Sequence, residues 1–168
     1  MRILLLLTVS LFVSSCVKDL SHQSPYSMAI GKSFILQQDL YIYNNIGYSD
    51  LNIGLPRIIP QEVDEKYIGY KDNQIIIKGV ALKNSTVKIS NIISEVTGQG
   101  DYVSYIALIN GNTPNVTIAM EILNFQKNPP ITLEGRNKDA PPVPIWSDPP
   151  IFKAEYALPL PSDGIWWK

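Results

Sequence analysis

Residues 74–125 read QIIIKGVALKNSTVKISNIISEVTGQGDYVSYIALINGNTPNVTIAMEILNF, and the fold is decided here. Four runs rich in Ile, Val, Thr and Tyr occupy 74–82, 86–96, 102–109 and 115–123. β-branched and aromatic side chains suit a pleated, half-buried surface. The segments between them are short and turn-prone: Lys83-Asn84-Ser85, 97–101, and Asn110-Gly111 with the three residues after it. Asn-Gly accepts positive φ at little cost and is a strong reversal signal. Four short strands with short turns predict an antiparallel meander. In the last run Val116, Ile118, Met120 and Ile122 share one parity and are expected to face the core, with Thr117 and Glu121 facing solvent.

Upstream, residues 33–43 alternate as a further strand. Phe34, Leu36, Leu40 and Ile42 form the apolar set, which leaves Tyr41 and Tyr43 on the opposite side. Residues 44–73 hold Gly47, Gly54, Pro56 and Pro60 and read as loop, with one short helical turn within 62–70. From Asn128 on stand nine of the thirteen prolines, a density that excludes helix and central strand. A short strand within 151–158 remains open, and Trp166-Trp167 is expected to pack back on the body rather than stay in water. The fold class is therefore all-β, a small antiparallel barrel or sandwich with a proline-rich C-terminal extension.

The amino terminus sets the compartment. Met1-Arg2 is a short basic start, Ile3 to Val13 is an eleven-residue apolar run, and Ser14-Ser15-Cys16 follows. Eleven helical residues rise about 16 Å, roughly half of a ~30 Å hydrocarbon core, so this segment is too short to span a bilayer. Val13-Ser14-Ser15-Cys16 resembles the lipobox of bacterial lipoproteins, in which an aliphatic and two small residues precede a cysteine. That resemblance implies removal of residues 1–15 as a signal peptide and lipidation of Cys16 by a diacylglycerol thioether and an N-acyl chain such as palmitate. It also implies a lipidated tether over 16–30 and a β-rich domain over 31–168, the proline-rich tail 128–168 included. In the same family an aspartate after the cysteine favours retention at the inner membrane. Val17 stands there, so the resemblance implies the outer membrane, facing the periplasm. Two or more acyl chains anchor a protein stably without a spanning helix.

The segment 79–89, with the strand over 31–43, resembles the small SH3-like barrels of bacterial envelope proteins. Ser85 replaces the glycine of their turn, and the 44–73 insertion departs from their pattern. The resemblance implies a barrel and assigns no site residues.

Composition narrows the chemistry. Cys16 is the sole cysteine, so no intramolecular disulfide is available. His22, the sole histidine, lies in the expected tether. Serine and cysteine nucleophiles need an imidazole nearby, and zinc sites draw on several His or Cys ligands. No catalytic residue, metal ligand or cofactor is therefore expected beyond the acyl anchor. The chain carries 14 basic and 15 acidic side chains without a basic cluster, which argues against nucleic acid. Glu62, Asp64, Glu65, Asp101, Glu121 and Glu134 leave open a carboxylate-dependent glycan hydrolase.

Tyrosine pairs an apolar face with a polar edge and suits sugar or peptide contact. Tyr41 and Tyr43 are the expected ligand-binding pair because their parity opposes the core set. The expected function is a non-enzymatic binding or accessory lipoprotein touching the membrane through its anchor and either peptidoglycan or an envelope protein. An immunity-type or inhibitor lipoprotein is the second reading, and the hydrolase the third. Cys16→Ser is expected to block acylation and leave unprocessed precursor. Normal maturation and unchanged membrane association of that variant would refute the anchor.

Overall fold

Alternation after Asn84 yields the two longest strands among the described residues, and the other strands assemble around them. The computed structural model describes residues 17–23, 26–60, 62–97, 100–111, 115–124 and 151–166. Its strands are β1 (Val17–Asp19), β2 (Ser33–Leu36), β3 (Leu40–Asn45), β4 (Leu51–Gly54), β5 (Ile75–Ala81), β6 (Thr86–Thr97), β7 (Gly100–Ile109), β8 (Val116–Ile118) and β9 (Ala157–Pro159). One-turn 3₁₀ segments lie at Tyr26–Met28, Glu65–Tyr67, Met120–Ile122 and Pro161–Asp163. Among the described residues no helix is long and apolar enough to cross a membrane.

Among the described residues the nine strands form one sheet in the order β5-β3-β4-β8-β7-β6-β2-β9, with β1 also on β6. The expected all-β class holds, but the barrel does not close, and the sheet is mixed. β4 and β8 pair in parallel, with Leu51 opposite Val116 and Ile53 opposite Ile118. Only β6, β7 and β8 make the expected antiparallel meander. Asn110 and Gly111 adopt positive φ, as Asn-Gly should, and end β7.

Lys83-Asn84-Ser85 is not a hairpin turn. β5 and β6 do not pair with each other; β5 pairs with β3 and β6 with β2. The two-stranded ladder therefore runs from Ser33 opposite Lys88, round a corner, to Asn45 opposite Ile75. At the corner Leu36 N–H donates to Ser85 O at 3.0 Å and Asn84 N–H to Leu36 O at 2.9 Å. The Asp39 carboxylate accepts from Lys83 N–H at 2.6 Å, and Asn84 takes φ +68°, a region asparagine tolerates. Both strands break together, so one ribbon serves both arms of the sheet. Bent strands make such corners where sheet packs on sheet.

A second irregularity sets the amino-terminal path. β6 shifts register between Ile89 and Asn91, leaving Ser90 as the extra residue of a bulge. β1 and β2 lie along the same edge of β6 on either side of that bulge. Ile92 N–H donates to Ser21 Oγ at 3.0 Å, and the Ser21 hydroxyl also meets Asn91 Oδ1. Leu20, Tyr26 and Ala29 are buried in the core. The stretch read as a tether is thus packed against the sheet from Val17 on. Its polar residues satisfy the bulge, a role that shows no periodicity in sequence.

The core centres on Phe34, fully buried, whose ring centroid lies 4.9 Å from Phe152 and 6.3 Å from Trp166 in an edge-on arrangement. Trp166 packs back as expected. β9 pairs with β2, and the Asp163 carboxylate accepts from Ser33 N–H at 2.6 Å. Residues 1–16, including Cys16, and 125–150, including most of the proline-rich extension and Glu134, lie outside the described residues.

Met120 corrects the parity expectation. β8 stops at Ile118 and a 3₁₀ turn follows, which rotates Met120 outward to 57% exposure while Ile122 stays buried. Phe34→Ala is therefore expected to cost about 3–5 kcal/mol, read as a lower urea midpoint at constant slope. Met120→Ala should stay within about 0.5 kcal/mol. Equal losses for the two variants would contradict the assignment.

Candidate functional site

Tyr41 and Tyr43 do not face solvent. The break at 37–39 separates β2 from β3 and resets the parity, so that Tyr41 is fully buried and Tyr43 nearly so, while Ile42 is half-buried. Leu40 is buried as expected, but the alternation read across 33–43 as one strand gave the wrong face for Tyr41, Ile42 and Tyr43. As placed, neither ring offers a free face to a ligand; each supports something else.

Tyr43 faces a carboxylate. Its hydroxyl donates to Glu121 Oε1 at 3.4 Å, and the same oxygen accepts from Leu55 N–H at 3.0 Å. Burial, with the Glu121 carboxylate beside it, pushes the Tyr43 phenol well above its ordinary value of 10.0. Gly54 makes room for this contact, since a β-carbon there would come 2.5 Å from Glu121 Oε1 and 2.6 Å from Ala119 Cβ. Lys153 reaches the backbone at the same place, donating to Glu121 O at 2.6 Å. Glu121, read as solvent-facing, ties β3, the end of β4 and the 3₁₀ turn after β8 together. It is half-buried and its oxygen is engaged, which suits a structural clamp.

Tyr41 seats a surface feature. Its hydroxyl accepts from Asp64 N–H at 3.0 Å and donates to Glu62 O at 3.3 Å, so one buried phenol satisfies both sides of the 62–64 loop. That loop caps the 3₁₀ turn Glu65–Tyr67, where the Asp64 carboxylate accepts from Lys66 N–H at 2.9 Å. The turn lays Tyr67 edge-on to Tyr41 at 6.4 Å and 83°, and Tyr70 edge-on to Tyr67 at 6.2 Å and 85°. Edge-to-face pairs at such distances are favourable by about 0.5–1.5 kcal/mol beyond their area. The ladder climbs from a buried ring to Tyr70, which is 38% exposed.

The strand edge beside the ladder is zipped down. Gly69, at φ +88°, donates its N–H to Ile77 O at 3.0 Å, and Ile77 N–H donates to Tyr70 O at 2.9 Å. Lys71 then bridges to Ile76. Lys66 Nζ stands 5.1 Å from the Tyr67 ring centroid and 2.5 Å from the Asp64 carboxylate. Each charge favours the other, so the Lys66 side chain lowers the Asp64 pKa and Asp64 raises that of Lys66. Both are solvated, so the pair orients Lys66 more than it stabilises the fold. Ile68 is exposed between the two tyrosines. Nearby, Ile46 N–H donates to Gln74 O at 2.7 Å, which sets the β3–β4 turn and its Tyr48, 72% exposed, beside the turn into β5.

The surface so built is Tyr67, Ile68 and Tyr70 with the Lys66 ammonium, and Ile46 and Tyr48 are exposed on the β3–β4 turn. Its chemistry is that of a contact face: apolar ring faces, phenol edges and a positive head. Tyr67 and Tyr70 stand three apart in sequence around Gly69, a signal that marks a turn but does not reveal that Tyr41 lies beneath. Among the described residues no cluster of His, Cys, Asp and Glu is arranged to hold a metal ion. His22 is exposed, Glu62 and Glu65 are exposed, and Asp64 is occupied as a cap. Cys16 and Glu134 lie outside the described residues.

Tyr41→Phe removes the latch and keeps the ring. It is expected to cost about 1 kcal/mol, because the part-buried Asp64 amide and the Glu62 carbonyl lose their partner. Amide exchange should speed selectively at Asp64. Unchanged exchange there would show that the hydroxyl does not hold the loop.

Compared with protein-family models, characterised proteins and solved structures, the chain matches none.

Proposed function

We propose that this chain is a lipid-anchored, non-enzymatic binding or accessory module of the bacterial envelope, held at the outer membrane and facing the periplasm. The observation that carries the reading is the tetrad Val13-Ser14-Ser15-Cys16 behind an eleven-residue apolar run, with no second cysteine in the chain. A thioether to diacylglycerol consumes the thiol, and the acyl chains hold the protein at the bilayer.

The contact face of this reading is the tyrosine ladder with Tyr48, in place of the buried Tyr41 and Tyr43. Exposed tyrosine rings suit a protein or peptidoglycan partner, because tyrosine is enriched among the residues that dominate binding energy at interfaces. The engagement of Glu121 with Tyr43 and the Leu55 amide supports a module rather than a glycan hydrolase, since that carboxylate already serves the fold. The inhibitor reading uses the same face with an envelope protein as target.

Two assays separate the partners. Pull-down from detergent-solubilised membranes should recover a stoichiometric protein partner, and sedimentation with purified sacculi tests the wall polymer. The double variant Tyr48→Ala, Tyr70→Ala is expected to weaken whichever association is found by tenfold or more, on the order of 2 kcal/mol. Undiminished association would remove the ladder from the reading. Muropeptide hydrolysis that disappears in Glu121→Gln would overturn the non-enzymatic assignment.

A further inference from the structure

The lipoprotein reading places an acylated residue at position 16, and the fold begins at position 17. Val17, Lys18 and Asp19 pair with Glu95, Ser94 and Ile93 on the outer edge of β6. Leu20 N–H continues the ladder to Ile92 O at 2.8 Å, and the buried Leu20 side chain and the Ser21 hydroxyl fix the strand behind it. Consecutive Cα atoms are about 3.8 Å apart, so the acylated residue lies one peptide from a strand built into the sheet. No length of chain is left to act as a tether.

The register then gives a direction. Val17 stands level with Glu95, which pairs with Tyr102, and the β6–β7 ladder continues outward through Val96 opposite Asp101 and Thr97 opposite Gly100. The last paired residues of that hairpin therefore reach roughly 7 Å beyond Val17 along the strands. β1 runs away from this end, because it is antiparallel to β6. A glycerol thioether sits at headgroup depth, and the chain leaves it along β1.

We propose that the β6–β7 hairpin end of the sheet rests against the lipid headgroups, so that the domain is held in one orientation rather than swinging on its anchor. This rests on the lipoprotein reading. The partner it names is the bilayer surface, met by the end of the β6–β7 ladder at Thr97 and Gly100, beside β1. The same topology carries the β3–β4 turn away from the membrane. β4 begins at Leu51, opposite Val116, and Val116 pairs with Ala107. Ala107 is six residues along β7 from Asp101, roughly 20 Å of strand. Tyr48, in the turn before β4, is thereby presented outward. An exposed ring at that end is available to a partner in the periplasm, whereas one at the hairpin end would be occluded by lipid.

The test uses the mature acylated protein in phosphatidylethanolamine–phosphatidylglycerol vesicles. Acylation consumes the Cys16 thiol, so Thr97→Cys and Tyr48→Cys each supply one free thiol for an environment-sensitive fluorophore. With headgroup-proximal bromolipids, the label at position 97 is expected to be strongly quenched and that at 48 to be unaffected. A flexible Gly/Ser insertion of about ten residues between Cys16 and Val17, with a root-mean-square span of about 18 Å, should abolish the difference. Equal quenching at both positions in protein whose intact mass shows the acyl chains would overturn the orientation and leave the anchor standing. An intact mass without acyl chains would overturn the lipoprotein reading and the orientation with it.

Discussion

A single bent ladder carries this fold. β2 and β3 are successive pieces of one strand direction, as are β5 and β6, and the two pair on either side of the corner of 37–39 and 82–85, with one bulge at Lys78 between the Ile42–Gly79 and Tyr43–Ile77 pairs. The corner leaves few backbone groups stranded, because Leu36, Ser85, Asn84, Lys83 and Asp39 exchange hydrogen bonds across it. Unpaired backbone groups inside a protein are costly, so a corner that satisfies its own donors is the condition for bending a sheet. Everything else is hung on the two arms that it creates. One arm receives β7, β1 and β9, the other β4, and β8 joins them by lying between β7 and β4.

The two arms explain why so few strong side chains close the core. Phe34 sits on β2 where the carboxy-terminal segment returns, and Phe152 and Trp166 both pack on its ring. β9 and the Asp163 carboxylate tie that return to β2 through Phe34, Leu36 and Ser33. On the other arm Tyr43, Gly54 and Glu121 do the equivalent task with a carboxylate instead of a ring. A half-buried Glu accepting from a buried amide is stabilising only while its partners remain, which makes this node sensitive to any change at Gly54.

Surface chemistry follows from the same architecture. The Tyr41 hydroxyl reaches through to a loop backbone, and the ladder from half-buried Tyr67 to exposed Tyr70 stands on it. A rigid support matters for recognition, since a ring already held in place loses little freedom on binding. The bulge at Ser90 plays a comparable part at the opposite edge. There it turns the amino-terminal segment from β1 to β2 and lets Ser21 and Asn91 satisfy the displaced backbone.

The sequence by itself determined that the chain folds into strands, that Asn110-Gly111 ends one of them, that the helical turn falls within 62–70, and that Trp166 returns to the body. Each of these is local: β-branched runs, a dipeptide that tolerates positive φ, and a ring too apolar for water. It likewise supplied the tetrad Val13-Ser14-Ser15-Cys16, whose resemblance to a lipobox is what the proposed anchoring stands on. Only the tertiary structure decided which strands are neighbours, and with that which side of β3 is inside. Alternation records a side chain's face relative to its own strand, and a three-residue break such as 37–39 erases that record. Hence Tyr41 and Tyr43 turned inward, Met120 turned outward, and Lys83-Asn84-Ser85 became a corner instead of a reversal. Pairing across tens of residues is chosen by the burial of the assembled core, and no local window of sequence contains it.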